Sequence, residues 1–323
     1  MTQSLTEVLS ASKGAAPEVM CSYCGIYNRV DRVFCLNCSR RLMPPPSFCI
    51  TPDDYTSAGD RSTLEALRGM EPLPRVLSRF VAPDGRRLEA WLSRNALRVS
   101  PPSKLDTLIR TCGEVMGLDS LPRAYVAPFA QLNAFTTGAD ESPILVICAP
   151  LLDRLGFMEM EGLVAHELAH IRNRHVLYHS LAESLATGAQ FVTSQYAAGL
   201  LALPIRMLLL SWYRESEISG DRAAALVLGD YHAFESLMVK LSAQDGRAAR
   251  SDGSLAELLQ THPTFERRVR LSKEFCASKE FAAVRFRTRS ANGPGSLASF
   301  CRYCGATKPQ LEVFCPNCGH ASG

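Results

Sequence analysis

Three residues, His166, Glu167 and His170, have the types and the spacing of a metal-dependent hydrolytic site. They form the pattern HExxH inside an apolar stretch that favours a helix. Because a helix turns by about 100° per residue, the two histidines lie one turn apart on the same face and can bind one metal ion. Glu167 is then placed to polarise a bound water and to accept its proton. An isolated HExxH string also arises by chance, so other residues must support the assignment.

A catalytic zinc ion needs a third protein ligand and one open coordination position. A third histidine six residues after His170 would indicate a metzincin, but that residue is Val176. On a continuous helix, His175 and His179 lie about 180° and 220° around the axis from His166. We therefore interpret both as surface or packing histidines that face away from the metal.

A pair of acidic residues further along the chain, Glu217 and Asp221, has the pattern ExxxD. Helical spacing places both on one face. We interpret Glu217 as the third metal ligand and Asp221 as the acceptor for the free N–H of a ligand histidine. Glu215 points elsewhere on the same helix and is expected to be solvated. The alternative is an ordinary charged helix face, which the HExxH pattern upstream makes a weaker interpretation.

Eight of the 12 cysteines form two blocks with the same spacing, CxxC, ten residues and CxxC. The first block contains Cys21, Cys24, Cys35 and Cys38, and the second contains Cys301, Cys304, Cys315 and Cys318. Two facing CxxC pairs supply four thiolates to a closed tetrahedral zinc site, which is structural. Such short blocks cannot form a core, so zinc would supply most of their folding free energy. The alternatives are disulfide clusters or redox CxxC motifs, and the duplicated pairs argue against the second.

The charge and the hydropathy of the chain indicate its cellular compartment and the kinds of partner it can bind. The net charge of +3 is too small to argue for nucleic acid or an anionic membrane as a partner. Residues 1–20 lack the pattern of a signal peptide, so we expect a cytoplasmic protein. The apolar stretch 197–210 is interrupted by Pro204 and Arg206 and is shorter than the roughly 20 residues of a membrane span. We interpret it as a buried helix pair, with a membrane-associated hairpin in peripheral contact as the alternative.

The candidate metal ligands must be positioned by a folded domain, and the apolar pattern predicts an α+β domain. Helices are expected over 63–68 and 101–116, and short strands over 124–127 and 144–148. From Leu151 to about Phe286 nearly everything has a helical pattern. The fold class is therefore mostly helical with a small sheet, flanked by an N-terminal and a C-terminal four-cysteine zinc ribbon.

Composition changes along the chain predict six segments. They are a flexible tail (1–18), a zinc ribbon (19–42), a proline-rich linker (43–60), the catalytic domain (61–286), a glycine- and serine-containing linker (287–299) and a second zinc ribbon (300–323). The central body has the size of one ordinary domain.

Four motifs, in this order, resemble the HtpX-like zinc metallopeptidases, which are related to the CAAX prenyl proteases. They are the NAF element of Asn133, Ala134 and Phe135 with Gly138, the string HELAHIRNRH starting at His166, Glu217 with Asp221 and Arg222, and Thr261, His262 and Pro263 with Arg268. The resemblance covers about residues 61–275.

The resemblance implies a gluzincin endopeptidase that acts on protein or peptide substrates. It implies a catalytic zinc on His166, His170 and Glu217, with Glu167 as the general base. Together with the cysteine blocks, this predicts one catalytic and two structural zinc ions.

The resemblance also assigns residues around the metal. His262 and Arg268 are expected to approach the site as catalytic residues, where they stabilise the oxyanion or hold the Glu217 helix in place. Asn133, Ala134 and Phe135 are expected near an edge strand above the zinc, where an extended substrate can add its main chain. The alternative for this segment is a polar loop without a role.

This chain departs from the usual members of that family. They carry apolar membrane spans before the catalytic domain, and here a zinc ribbon stands in that place. A soluble or peripherally associated protease is therefore expected, with ribbons that bind a protein partner or regulate access. The alternatives are a catalytically idle scaffold, against which the retained Glu167 argues, and a nucleic-acid-binding ribbon protein. The ribbons lack the interleaved aromatic and basic residues of a single-strand binder.

Overall fold

The computed structural model describes residues 18–20, 25–29, 37, 48–70, 85–101, 103–186, 203–229, 231–242, 263–291, 298–300 and 307–309. The chain divides into two compact units. One consists of residues 1–45 together with 297–322, and the other is formed by residues 46–296. In the first unit, strands β1 (Glu18–Met20) and β2 (Tyr27–Arg29) form an antiparallel hairpin.

The larger unit begins with two helices that pack on its body, α1 (Pro52–Tyr55) and α2 (Ala58–Gly69). Ser57 starts α2, because its side chain accepts a hydrogen bond from the backbone N–H of Asp60. Upstream of Ser57, the side chains of Ile50 and Tyr55 are 1% exposed and belong to the main hydrophobic core. The predicted linker of residues 43–60 is therefore wrong for residues 48–60, whose apolar side chains are needed to complete the core.

A four-stranded sheet has the order β3–β4–β6–β5. Its strands are β3 (Leu97–Arg98), β4 (Arg123–Ala127), β5 (Ala134–Ala139) and β6 (Ser142–Cys148). β4 and β6 are parallel, whereas β5 pairs antiparallel with β6 and forms an edge of the sheet. Both strands expected from the apolar pattern are confirmed.

The central strand β6 is buried on both faces, which explains its continuous apolar sequence. Ile144 and Val146 point into a cluster that includes Leu92, from a helix over residues 85–95 (α3). Leu145 and Ile147 point the other way, into the main core. Because strand side chains alternate between faces, an apolar run without alternation is typical of a strand covered on both sides.

Helices form most of the remaining unit, which confirms the α+β class. They are α4 (Lys104–Val115), α5 (Pro150–Arg154), α6 (Phe157–Arg172), α7 (Val176–Ala186), α8 (Leu203–Leu228), α9 (Tyr231–Ser242), α10 (Phe265–Cys276) and α11 (Lys279–Ala291). Since α11 continues to Ala291, the predicted linker of residues 287–299 is wrong for its first five residues.

Helices α6 and α8 pack closely because small residues line their contact. A Cβ atom on Gly162 would lie 2.8 Å from Cδ1 of Leu228, so only glycine fits there without a shift. The N-terminal end of α6 is held by Glu159, whose Oε2 accepts the backbone N–H of Gly156 at 2.6 Å. The same carboxylate binds Ser236 and Lys240 of α9, each at 2.6 Å. The helix that carries the HExxH pattern is therefore fixed at its start.

Part of the apolar stretch 197–210 lies in the described chain, as the first two turns of α8. Leu209 and Leu210 are fully buried in the protein. Within the described ranges, none of the helices has both the length and the apolar character needed to cross a bilayer. Residues 187–202 lie outside the described part of the chain.

The C-terminal strands β7 (Ala298–Phe300) and β8 (Thr307–Pro309) form a second antiparallel hairpin. Each of its bounds lies 280 residues after the matching bound of the first hairpin. In both hairpins the first CxxC pair follows directly after the first strand. Gly25, after the first pair, has a φ of 73°, a backbone conformation that favours glycine. The eight ribbon cysteines themselves lie outside the described residues.

Candidate metal centre

Helices α6 and α8 bring the three expected ligands together. His166 and His170 come from α6, and Glu217 comes from α8. The Nε2 atoms of the two histidines are 3.1 Å apart. Oε1 of Glu217 lies 3.4 Å from His170 Nε2, and its Oε2 lies 3.7 Å from His166 Nε2. All three residues are buried, and their polar atoms converge on one small volume.

This donor set fits a zinc ion. Tetrahedral zinc with bonds of about 2.0–2.1 Å holds its ligand atoms about 3.3 Å apart. The observed separations of 3.1, 3.4 and 3.7 Å lie around that value. Two imidazole nitrogens and one carboxylate leave a fourth position open, which is typical of a catalytic site.

Asp221 contacts the ring nitrogen of His166 that points away from the other ligands. Oδ1 of Asp221 lies 3.1 Å from Nδ1 of His166, which leaves Nε2 of His166 facing the other ligands. Burial acts to lower the pKa of His166, but Asp221 and Glu217 outweigh it and raise the pKa to about 10. A metal ion that binds Nε2 therefore displaces a proton.

Arg268 anchors both acidic residues of the ExxxD pair. Its Nε and Nη2 donate to the two oxygens of Asp221 at 2.8 and 2.6 Å, and its Nη1 lies 3.2 Å from Oε2 of Glu217. Burial acts to raise the pKa of Asp221, but Arg268 outweighs it and lowers that pKa. Asp221 therefore remains a carboxylate.

The chain bends sharply after α6, which overturns the expectation for His175 and His179. Arg174 has a φ of 57°, and a new helix starts at Val176. Both histidines are buried, and Nδ1 of His175 lies 3.1 Å from Nδ1 of His170. The prediction that they face away from the metal ligands is wrong, because it assumed an uninterrupted helix.

Contacts from the N-terminal helices hold this bend in place. Asn173 accepts a hydrogen bond from the Tyr55 hydroxyl and donates one to Thr56, both at 3.0 Å. Arg68 of α2 donates to the carbonyl of Asn173 at 2.9 Å. No glycine or proline marks the bend in the sequence, so these distant partners define it.

A cleft of about 640 Å³, including its opening to solvent, surrounds the three ligands. Glu167 lines it, and so do Asn133, Ala134 and Phe135 at the start of the edge strand β5. Arg268 also reaches the cleft. Four apolar side chains of α9 complete one wall, namely Phe234, Leu237, Met238 and Leu241. The residues of the NAF element thus lie beside the candidate metal site.

Two further expectations have different outcomes. His262 lies outside the described residues, and the next residue, Pro263, is buried. Glu215 is not solvated as expected, because it binds Arg267 at 3.2 Å and accepts a hydrogen bond from Ser57 at 3.3 Å. It connects α8 to α10 and to the start of α2.

Gly220 is a site residue that the spacing of the metal ligands did not indicate. A Cβ atom at this position would lie 2.6 Å from Cε1 and 2.7 Å from Nδ1 of His166. The imidazole ring therefore lies against the bare backbone of α8. The signal in the sequence is a glycine directly before Asp221, within a helix.

Replacing Gly220 with alanine is expected to remove metal from the cleft. The added methyl group displaces His166, although alanine favours a helix over glycine by about 1 kcal/mol. Metal analysis and thermal unfolding should show a chain that loses the cleft metal and keeps its fold. Gly69→Ala is the matched control, because its Cβ would meet nothing within 4 Å. Full metal content in both variants would contradict the assigned place of His166.

Comparison with known families agrees with this geometry. The profile of peptidase family M48 matches residues 102–274, which is more than half of the chain. The matched range contains the described ligands, the edge strand and Arg268.

Individual relatives give the same result. A protein named protease HtpX homolog from Moorella thermoacetica is 27% identical over 230 residues, which cover 57% of this chain and 76% of the relative. Plastoglobule-localized metallopeptidase 48 of Arabidopsis thaliana is 27% identical over 212 residues, covering 62% of this chain and 59% of the relative. A protease HtpX homolog from Desulfatibacillum aliphaticivorans is 26% identical, and the chain spans 61% of its length.

Proposed function

Because this chain belongs to peptidase family M48 and is thus a metallopeptidase, we propose that it is a zinc-dependent endopeptidase acting on protein or peptide substrates. One observation carries the proposal: His166, His170 and Glu217 converge within 3.1–3.7 Å beside Glu167 in one cleft. A pure scaffold would need the ligands but not a base next to them.

The proposed chemistry is the hydrolysis of a peptide bond by water. His166, His170 and Glu217 would hold zinc, which supplies a Lewis acid that polarises the carbonyl and lowers the pKa of water. Glu167 accepts the proton of the attacking water and passes it to the leaving amine. His262 remains the expected donor to the oxyanion.

Arg268 has a positioning role in this proposal, through its bonds to Asp221 and Glu217. Its guanidinium binds both carboxylates, so Asp221 can orient His166 and Glu217 keeps its place in the ligand set. The family resemblance left two roles open for Arg268, to stabilise the oxyanion or to hold the Glu217 helix in place. These contacts favour the second role.

The substrate is proposed to bind as an added strand on β5. That strand pairs on one side with β6, and its first residues line the cleft. An extended peptide that pairs with the other side would bring a main-chain carbonyl toward the ligand cluster. The apolar side chains of α9 would then contact the peptide beside the bond to be cleaved.

The two cysteine blocks are proposed to be structural zinc ribbons that bind a protein partner or regulate access. The equivalent hairpins, whose two strands flank the first CxxC pair of each block, support this, since they repeat the same local fold at both ends of the chain. Met20, Ile26 and Tyr27 of the first hairpin are apolar and exposed, which supports protein binding. A cytoplasmic location and a peripheral membrane contact through residues 197–210 stay predictions.

The test is casein hydrolysis by the full chain before and after treatment with a chelator. We expect about three zinc ions per chain, of which the cleft ion is removed first because it has only three protein ligands. Activity should disappear with that ion and return when zinc is added. Full activity without the chelator-sensitive ion would contradict the proposal.

A further inference from the structure

Asp60 is a fully buried carboxylate that lies outside the residues matched by the family profile. It belongs to α2, near the start of the unit, yet two of its partners belong to α8 and a third lies at the bend after α6. Oδ1 accepts the indole N–H of Trp212 at 2.9 Å, and Oδ2 accepts the hydroxyl of Ser219 at 2.6 Å. Nε2 of His175 lies 3.3 Å from Oδ1. That nitrogen has no aligned hydrogen-bond acceptor within the described part of the chain.

We propose that Asp60 and His175 form a relay that orients His170 for zinc. The relay runs from Asp60 Oδ1 to His175 Nε2, and from His175 Nδ1 to His170 Nδ1 at 3.1 Å. The other nitrogen of His170 faces Glu217 and His166. This inference depends on the zinc site of the proposed function and names the residues that hold one of its ligands.

The proton positions along this relay are determined by the chemistry at its two ends. Zinc needs the lone pair of His170 Nε2, so the proton of that ring must be on Nδ1. Nδ1 of His175 must then be an acceptor, and its ring proton lies on Nε2, facing Asp60. A carboxylate at that end favours this one arrangement, since a carboxylate accepts and never donates.

Asp60 is well suited to this role because its own position is fixed. Trp212 and Ser219 hold its two oxygens, and Ser57 binds both its backbone N–H and Ser219. Burial acts to raise the pKa of Asp60, but His175 and the two hydrogen bonds outweigh it and lower that pKa. The group is therefore charged at neutral pH.

In this arrangement each of the two ligand histidines is oriented by a buried carboxylate. Asp221 orients His166 directly, and Asp60 orients His170 through one intervening imidazole. Carboxylates behind ligand histidines typically change metal affinity by about 10- to 100-fold when they are removed. We expect an effect of this order for Asp60.

A second metal ion is the competing interpretation, since one ring nitrogen from each of His170, His175 and His179 lies within 4.8 Å of the other two. Their other contacts argue against it. Nε2 of His179 is 2.7 Å from the hydroxyl of Ser216, and His175 faces Asp60. His170 would also have to lose its last ring proton to bind two metal ions at once.

The experiment compares zinc affinity of the full chain among variants by competition with a chromophoric chelator. Glu217→Ala identifies which zinc belongs to the cleft. Asp60→Asn and His175→Phe are expected to weaken that zinc by about 10- to 100-fold and to change the visible spectrum of the cobalt-substituted cleft. His175→Gln keeps one acceptor and one donor, so it should retain more affinity than His175→Phe.

Asp54→Asn is the matched control, because it makes the same substitution at an aspartate six residues earlier, whose side chain is 8% exposed and pairs with Arg287 instead of His175. It should lower the unfolding temperature and leave the cleft zinc affinity and cobalt spectrum unchanged. Wild-type affinity in Asp60→Asn and His175→Phe would overturn the relay. A second cleft zinc that disappears in His179→Phe would overturn it in favour of a second metal site. A wild-type chain without cleft zinc would overturn the proposed function, and the relay with it.

Discussion

Replacing Glu167 with glutamine is expected to lower kcat for peptide hydrolysis by about 100- to 10,000-fold. Glutamine has nearly the shape of glutamate but cannot accept a proton from the attacking water. The three ligands are separate residues, so zinc content should stay at the wild-type level. Hydrolysis of casein and of a quenched fluorescent peptide measures the loss, and metal analysis of the same samples measures the zinc.

Glu159→Gln provides the matched control for this prediction. It makes the same change on the same helix, at a buried carboxylate that binds Ser236 and Lys240 instead of lining the cleft. This variant should lose about 1–3 kcal/mol of unfolding free energy and keep its kcat. Equal kcat in Glu167→Gln and wild type would remove Glu167 from the proposed mechanism.

Replacing Arg268 with methionine is expected to lower the free energy of unfolding of the chelator-treated chain by about 3–5 kcal/mol. Asp221 and Glu217 are buried carboxylates, and the variant leaves both without the guanidinium that binds them. Zinc affinity should fall as well, because Asp221 loses the partner that fixes its position behind His166. Urea unfolding at neutral pH and chelator competition measure the two effects.

Arg267→Met is the control for this second prediction. Arg267 is the preceding residue and pairs with Glu215, but its side chain is 38% exposed, against 16% for Arg268. An exposed ion pair contributes at most about 1 kcal/mol. If the two variants lost the same free energy of unfolding, the contacts of Arg268 with Asp221 and Glu217 would not be the main support of the metal site.

The central site motifs follow from local periodicity, which is why the sequence indicates them. His166 and His170 share a helix face because they are four residues apart, and the same rule applies to Glu217 and Asp221. β6 could be predicted because a short apolar run bounded by turns is typical of a buried strand. β5 was not indicated by its pattern, because its small and polar residues lack the alternation of a strand.

Two features depended on contacts between residues far apart in the sequence. The bend at Arg174 is held by Tyr55 and Thr56, more than 110 residues earlier. Because no glycine or proline interrupts this segment, the sequence predicts one continuous helix. A continuous helix would place His175 on the face opposite His166. Asp60 carried no signal, since a proline-rich stretch suggested a linker and one aspartate has no spacing to interpret.

The sequence by itself determined the types of the proposed metal ligands, their grouping on two helices and the repeated cysteine blocks. These depend on chemistry and on the helical period, which are local properties. Only the tertiary structure decided how the two helices meet, where Gly220 makes room for His166, and which groups stand behind His170. Those relations arise from packing and buried hydrogen bonds across the core, where residues over a hundred positions apart become neighbours.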